Sequence, residues 1–264
     1  METLQPWIAS FIVITDPFFY LVAIPAVFIV GLSKGGFGGA IAVVGVPLMA
    51  LAISPVAAAG ILLPIFIVMD LFAVFAWRGR FDRQVIRHMI PAAIVGITVG
   101  YFTAAIIPPD GTRIVVGLVA TGFAINWFWR SRHILEPAPR NRAKAWGWGI
   151  GAGFTSFVAH AGGPPYQVYV LPLRLDPQTY AGTAVIFFAA INGIKLIPYF
   201  LLGQFSAENL ATSAALLPLA PIATLAGIWL VKRIEPTLFY KITHGLLIPV
   251  GLKLIYDGVH GIVG

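Results

Sequence analysis

The 264-residue chain is 59% hydrophobic and only 10% charged, with a mean hydropathy of +0.90. A water-soluble domain carries about 25% charged residues, so a soluble globule is excluded. The net charge of +7 is read as loop charge that sets topology rather than as a nucleic-acid surface. With no cysteine, disulfides, thiol chemistry and Cys-based metal sites are excluded as well.

In chain order, Met1 to Asp16 contains Glu2 and Asp16 but no Lys or Arg. It lacks the positive n-region of a signal peptide, so the first apolar stretch is expected to be retained. Apolar segments follow near 17–33, 38–53, 57–77, 89–107 and 112–129, then near 146–160, 164–174, 179–201, 211–231 and 243–257. Helices of roughly 20 such residues cross about 30 Å of hydrocarbon. The polar stretch Arg130 to Lys144, with Pro137 and Pro139, is the linker between the two sets. The expected fold is an all-α polytopic membrane protein: a first transmembrane repeat over 1–129, a cytoplasmic linker over 130–145 and a second repeat over 146–264. Eight full spans plus two broken, re-entrant or short-helix pairs would give 8–10 crossings.

The halves resemble each other. A shift of 122 superposes Pro55, Ala59, Gly60 and Phe66 on Pro177, Ala181, Gly182 and Phe188. A shift of 124 superposes Gly38, Gly39, Gly79 and Phe81 on Gly162, Gly163, Gly203 and Phe205, and a shift of 127 carries Pro91, Gly100 and Pro109 onto Pro218, Gly227 and Pro236. Twelve of the 17 Lys and Arg residues fall in three places: Arg78–Arg87, Arg130–Lys144 and Lys232–Lys241. The positive-inside rule puts these in the cytoplasm and both termini outside. Basic loop 78–88 corresponds to non-basic loop 203–210, and loop 108–113 to basic joint 232–241. Equivalent loops then lie on opposite sides, which is the inverted-topology repeat of secondary transporters.

Chemistry concentrates at two helix breaks, Gly31–Gly39 (GLSKGGFGG) and Gly153–Pro165 (GFTSFVAHAGGPP). Such Gly and Gly-Pro runs cannot continue a regular helix. Bare backbone at membrane depth survives only against protein or a wet cavity, and helix N-termini aimed at such a gap favour an anion. Lys34 beside the first break is read as functional or as snorkelling to the cytoplasmic surface. His160 beside the second is either a packed core histidine or a proton-carrying group. Asp70 and Asn192 occupy equivalent positions, and Lys195 follows Asn192 by one turn. Asp70 and Lys195 either neutralise each other or leave Lys195 facing the anion, with Asp70 and His160 as alternative proton-coupling groups. Lys253 and Asp257 are expected to form a surface pair. Gly31–Gly36 is no phosphate loop, since no Gly-Lys-Ser/Thr follows. The spacings Gly96/Gly100, Gly147/Gly151 and Gly149/Gly153 predict close helix packing. No metalloprotease, nucleophile-elbow or paired-Asp motif is present, so no enzyme, cofactor or metal is expected.

With these residues the chain resembles the sulfite exporter TauE/SafE family, also called sulfonate uptake permeases. The resemblance runs from about Ile24 to Asp257. It rests on the Gly-rich opening of each half and on the Gly-Arg-Phe-Asp turn (79–82), matched by Gly-Gln-Phe-Ser (203–206). His160 and Gly-Gly-Pro-Pro stand where a longer glycine run is common. The resemblance implies transport of sulfite, sulfonates or related anions across a bacterial inner membrane. The expected substrate-facing set is Lys34, Gly35, Gly36, Phe37, Gly38, Gly39, His160, Ala161, Gly162, Gly163, Asn192 and Lys195. Backbone N–H groups of Gly35–Gly39 and Ala161–Gly163 would cradle the anion's oxygens. An inside-negative potential favours anion exit by about 2.3 kcal/mol per charge per 100 mV, about forty-fold, so export needs no coupling ion. An anion channel and proton-coupled uptake are the competing readings. Partners are then a small anion and lipid, not nucleic acid, and homodimerisation is left open.

Overall fold

The computed structural model describes residues 13–36, 40–104, 106–130, 139–230 and 236–263. Phe37, Gly38 and Gly39 of the expected site, and the basic residues Arg132, Lys232 and Arg233, lie outside the described residues. Among the described residues 85% are helical and none lies in a strand. Its helices are α1 (Pro17–Gly36), α2 (Gly45–Met49), α3 (Pro55–Trp77), α4 (Arg83–Ala104), α5 (Pro109–Arg130) and α6 (Arg142–Ala159). They continue as α7 (Gly163–Val170), α8 (Pro177–Leu201), α9 (Ala207–Leu216), α10 (Leu219–Leu230) and α11 (Pro236–Val263). Short 3-10 turns cover Ala40–Val44 and Leu171–Leu173.

Local chemistry sets these boundaries. Ser54 and Asp176 cap α3 and α8 through bonds from Ala57 N–H (3.2 Å) and Thr179 N–H (3.1 Å), each followed by a proline in the first turn. That proline has no N–H to leave unsatisfied and its φ is preset for a helix. Asp82 and Ser206 cap α4 and α9 in the same way, from Val85 N–H (2.9 Å) and Asn209 N–H (3.1 Å). Each of those caps follows a glycine turned to positive φ, Gly79 at 82° and Gly203 at 69°. Pro218 withholds the amide that would join α9 to α10, and the pair bends by 45°.

Four described helices are long and apolar enough to cross a membrane: Pro17–Gly35, Pro55–Trp77, Arg83–Ala104 and Gln178–Leu201. The bent α9–α10 pair passes the same test taken together, as one broken span or a re-entrant loop. Large apolar side chains such as Leu21, Phe75, Phe102 and Phe200 point outward, as a lipid-facing surface requires and a water-facing one does not allow at this density. The chain is a multi-pass membrane protein.

Helix pairs close on glycine. An added Cβ on Gly153 would collide with the Ala93 carbonyl, and one on Gly96 with the Ile150 carbonyl, so α4 and α6 touch backbone to backbone. Gly35 and Gly227 bring α1 onto α10 in the same manner, and Gly117 lies against the Gly251 carbonyl where α5 meets α11. Of the expected glycine spacings, Gly96/Gly100 and Gly149/Gly153 pack tightly. Gly147 meets nothing within 4 Å, and Gly151 meets only Pro165 at 3.8 Å, so that spacing does not form a helix contact. At the centre α3 crosses α8, flanked by α4 on α8 and by α9 and α10 on α3. The short helix α7 packs against the 3-10 turn Ala40–Val44, so the chain following each break reaches the other.

Candidate functional site

The second break falls where expected. Helix α6 ends at Ala159, His160 takes the left-handed conformation (φ 51°, ψ 26°), and α7 starts at Gly163. The His160 amide bonds the Ser156 carbonyl (3.1 Å) and the Ala161 amide bonds the Thr155 carbonyl (3.0 Å), satisfying carbonyls that a helix end leaves open. The left-handed turn swings the imidazole from the end of α6 toward α3. There Nε2 lies 3.0 Å from the Ala59 carbonyl. A carbonyl only accepts, so Nε2 carries the proton and Nδ1 presents a lone pair.

That lone pair faces Lys195 of α8, whose Nζ is 2.7 Å away. The same ammonium donates to the Ser156 carbonyl and to Ser156 Oγ, each at 3.0 Å. Three neutral acceptors thus take the three hydrogens of a side chain that is 0% exposed. Lys34 of α1 has turned inward, with 6% exposure, and does not snorkel to the surface. Its ammonium pairs with Asp70 of α3 and lies 4.8 Å from the Phe66 ring centroid. The other Asp70 oxygen accepts from Asn192 Nδ2 at 2.7 Å. Of the two arrangements left open for Asp70 and Lys195, mutual neutralisation is not adopted: Asp70 pairs with Lys34, and Lys195 rests on His160 and Ser156.

Lys34, Phe66, Ser156, His160 and Asn192, with Ala42 and Phe188, line a cavity of about 20 Å³. That is room for about one water molecule and too little for a polyatomic anion without movement. Phe66 stands between the two halves of the site, its ring 4.6 Å from the imidazole of His160. A second cavity of about 120 Å³ lies toward the 108–113 and 203–209 loops, lined in part by Ala59, Thr112, Phe157, Tyr199 and Gln204. Ala59, which holds His160, and Tyr199, whose hydroxyl donates to the Phe157 carbonyl at 2.6 Å, form its inner wall.

The structure brings Lys34, Asp70, His160, Asn192 and Lys195 together. It does not give the expected backbone cradle to Gly35 or Ala161. Gly35 is pressed against the backbone of Thr224 and Gly227, and the Ala161 amide is consumed by the helix cap. Gly162 packs under Ser156 and Phe188. Helix packing thus takes Gly35, and capping takes the Ala161 amide. Sequence reasoning missed Ser156, Phe66 and the Ala59 carbonyl. Ser156 was traceable, since it precedes His160 by one helical turn and corresponds to Lys34 under the 122-residue shift. Lys253 and Asp257 form the expected exposed pair at 2.8 Å.

Helices that bury two lysines, an aspartate and a histidine between apolar faces fit a membrane transporter better than a structural bundle, because such groups at membrane depth are costly unless they serve a pathway. Comparison with protein families gives the particular family: residues 23–254 match the model of "Sulfite exporter TauE/SafE", and the chain belongs to that family. No curated protein and no solved structure matches the chain.

Proposed function

We propose that this protein is a secondary carrier that exports a small sulfur-containing anion, sulfite or a sulfonate such as sulfoacetate, by alternating access across a bacterial inner membrane. The observation that carries the reading is the ammonium of Lys195, buried among neutral acceptors where the two broken segments meet. A buried charge without a counter-charge is costly, and a bound anion would offset that cost.

The architecture for such a carrier is two inverted repeats, 1–129 and 146–264, joined by the cytoplasmic linker 130–145. Several pairings support it. Exchanging α1 with α6, α3 with α8, α4 with α9–α10 and α5 with α11 maps the main helix contacts onto themselves. The caps Ser54/Asp176 and Asp82/Ser206 and the turns Gly79/Gly203 exchange as well. Asp70 and Asn192, equivalent by the 122-residue shift, touch each other across the exchange. A central cavity too small for its substrate, with a larger cavity beyond Ala59 and Tyr199, fits an occluded state that opens by rocking one repeat against the other.

The test is flux in proteoliposomes. Labelled sulfite should move saturably, be accelerated by unlabelled sulfite on the far side, and be lost in Lys195→Met. Unitary conductance steps without counter-stimulation would establish a channel instead, and no anion flux at all would defeat the reading.

A further inference from the structure

With Lys195 counted as an ammonium, the charges around the central cavity do not cancel. Lys34 is neutralised by Asp70. Lys195 is held by Ser156 and by the bare Nδ1 of His160, whose proton sits on Nε2 toward Ala59. Among the described residues that line the cavity or hold its walls, the sum is one surplus positive charge. Asp70 is the one negative group in that sum, and it is 5% exposed, with both oxygens engaged by Lys34 and Asn192.

We propose that Lys195 keeps its proton and that Asp70 determines the valence of the substrate: by cancelling Lys34 it leaves the site one positive charge, so the site takes a small sulfonate-type monoanion and discriminates against dianions. The inference rests on the anion-carrier reading and narrows it. A monoanion brings the buried cluster to zero net charge. A dianion leaves one uncompensated negative charge at membrane depth, where no solvent screens it. Discrimination of this kind comes from the penalty on the wrong ligand rather than from added contacts to the right one. Among sulfur anions it favours bisulfite and simple alkanesulfonates over sulfite dianion and sulfate, and it removes the dianion sulfoacetate from the substrates proposed above.

Substituting Asp70 tests the charge sum directly. Asp70→Asn is nearly isosteric, and its amide oxygen still accepts from Asn192. It strips Lys34 of its counter-charge, so the site carries two positive charges and a dianion becomes the neutralising ligand. Lys34→Met in the same chain removes the second charge again. The experiment is displacement of bound radiolabelled sulfite from the detergent-purified full chain, at matched ionic strength, by methanesulfonate or by sulfate. Neither competitor titrates near neutral pH.

In the wild type, methanesulfonate should displace sulfite at concentrations lower than sulfate by on the order of tenfold or more. Asp70→Asn should reverse that order, and the Lys34→Met/Asp70→Asn double variant should restore it, whatever its absolute affinity. Sulfate competing as well as methanesulfonate in the wild type overturns the proposal, as does an unchanged order in Asp70→Asn. The wild-type comparison needs no variant, so it tests the idea even if Asp70→Asn fails to fold. Absence of sulfite binding to the wild type is a different result, which removes the anion-carrier reading itself.

Discussion

Single side chains in this protein are held by bonds whose loss can be weighed. Ser156 receives the Lys195 ammonium through both its carbonyl and its hydroxyl. Ser156→Ala keeps the first and deletes the second, at a cost of about 1–3 kcal/mol, since the donor is charged and buried. Thermal unfolding in detergent should register that loss without loss of the fold. At the turn before α4, Asp82 is held below the usual carboxylate range, chiefly by its hydrogen bonds from Arg140 (2.9 and 2.5 Å). A depressed carboxylate contributes stability above its ordinary range and loses it as pH falls through the lowered value. The Arg140 side chain is 38% exposed, so solvent screening limits the pair to at most about 1 kcal/mol. Wild-type stability should therefore decline on acidification below about pH 4. Asp82→Asn should lower the plateau at neutral pH and flatten that decline. An equal acid slope in both proteins would show that Asp82 is not its source.

Between elements, glycine sets the spacing and left-handed residues set the turns. Gly153→Ala places a methyl on the Ala93 carbonyl, against backbone that cannot rotate away. It should destabilise by at least the 1–3 kcal/mol typical of overpacking. Gly147→Ala, with nothing within 4 Å, should be neutral or slightly stabilising through helix propensity. Measuring the two together separates packing from a general intolerance of alanine in α6. Gly203 and Gly79 adopt positive φ at equivalent turns, and alanine at either costs about 1 kcal/mol or more in backbone strain. Two of the three expected glycine spacings were legible because close helix approach needs a missing side chain at each turn. Gly147/Gly151 was not, because spacing alone does not say which helix face meets a neighbour.

At the scale of the whole molecule, the proposed inverted repeat makes a prediction about sides. The native chain has no cysteine, so single cysteines report cleanly. Arg83 and Glu208 are both exposed near equivalent turns, at the starts of α4 and α9. Under the inverted arrangement, Arg83→Cys should react with an impermeant thiol reagent only from the cytoplasmic face, and Glu208→Cys only from the opposite one. Labelling of both from one side would make the repeats parallel and would undo the alternating-access geometry.

The amino-acid sequence by itself determined that this is an apolar helical chain with a half-way polar linker, paired Pro and Gly punctuation, and ionisable residues beside or within apolar segments at Lys34, Asp70, His160 and Lys195. Those properties are local: hydropathy, the missing N–H of proline and the missing Cβ of glycine act wherever the residue stands. Only the tertiary structure decided who pairs with whom. Lys34 takes Asp70, Lys195 takes His160 and Ser156, and Gly35 and Ala161 serve packing and capping. A buried charge chooses among several partners by the rotation and depth of neighbouring helices. Those are fixed by the glycine contacts between α1 and α10 and between α4 and α6, and by the crossing of α3 and α8, none of which is encoded within one segment.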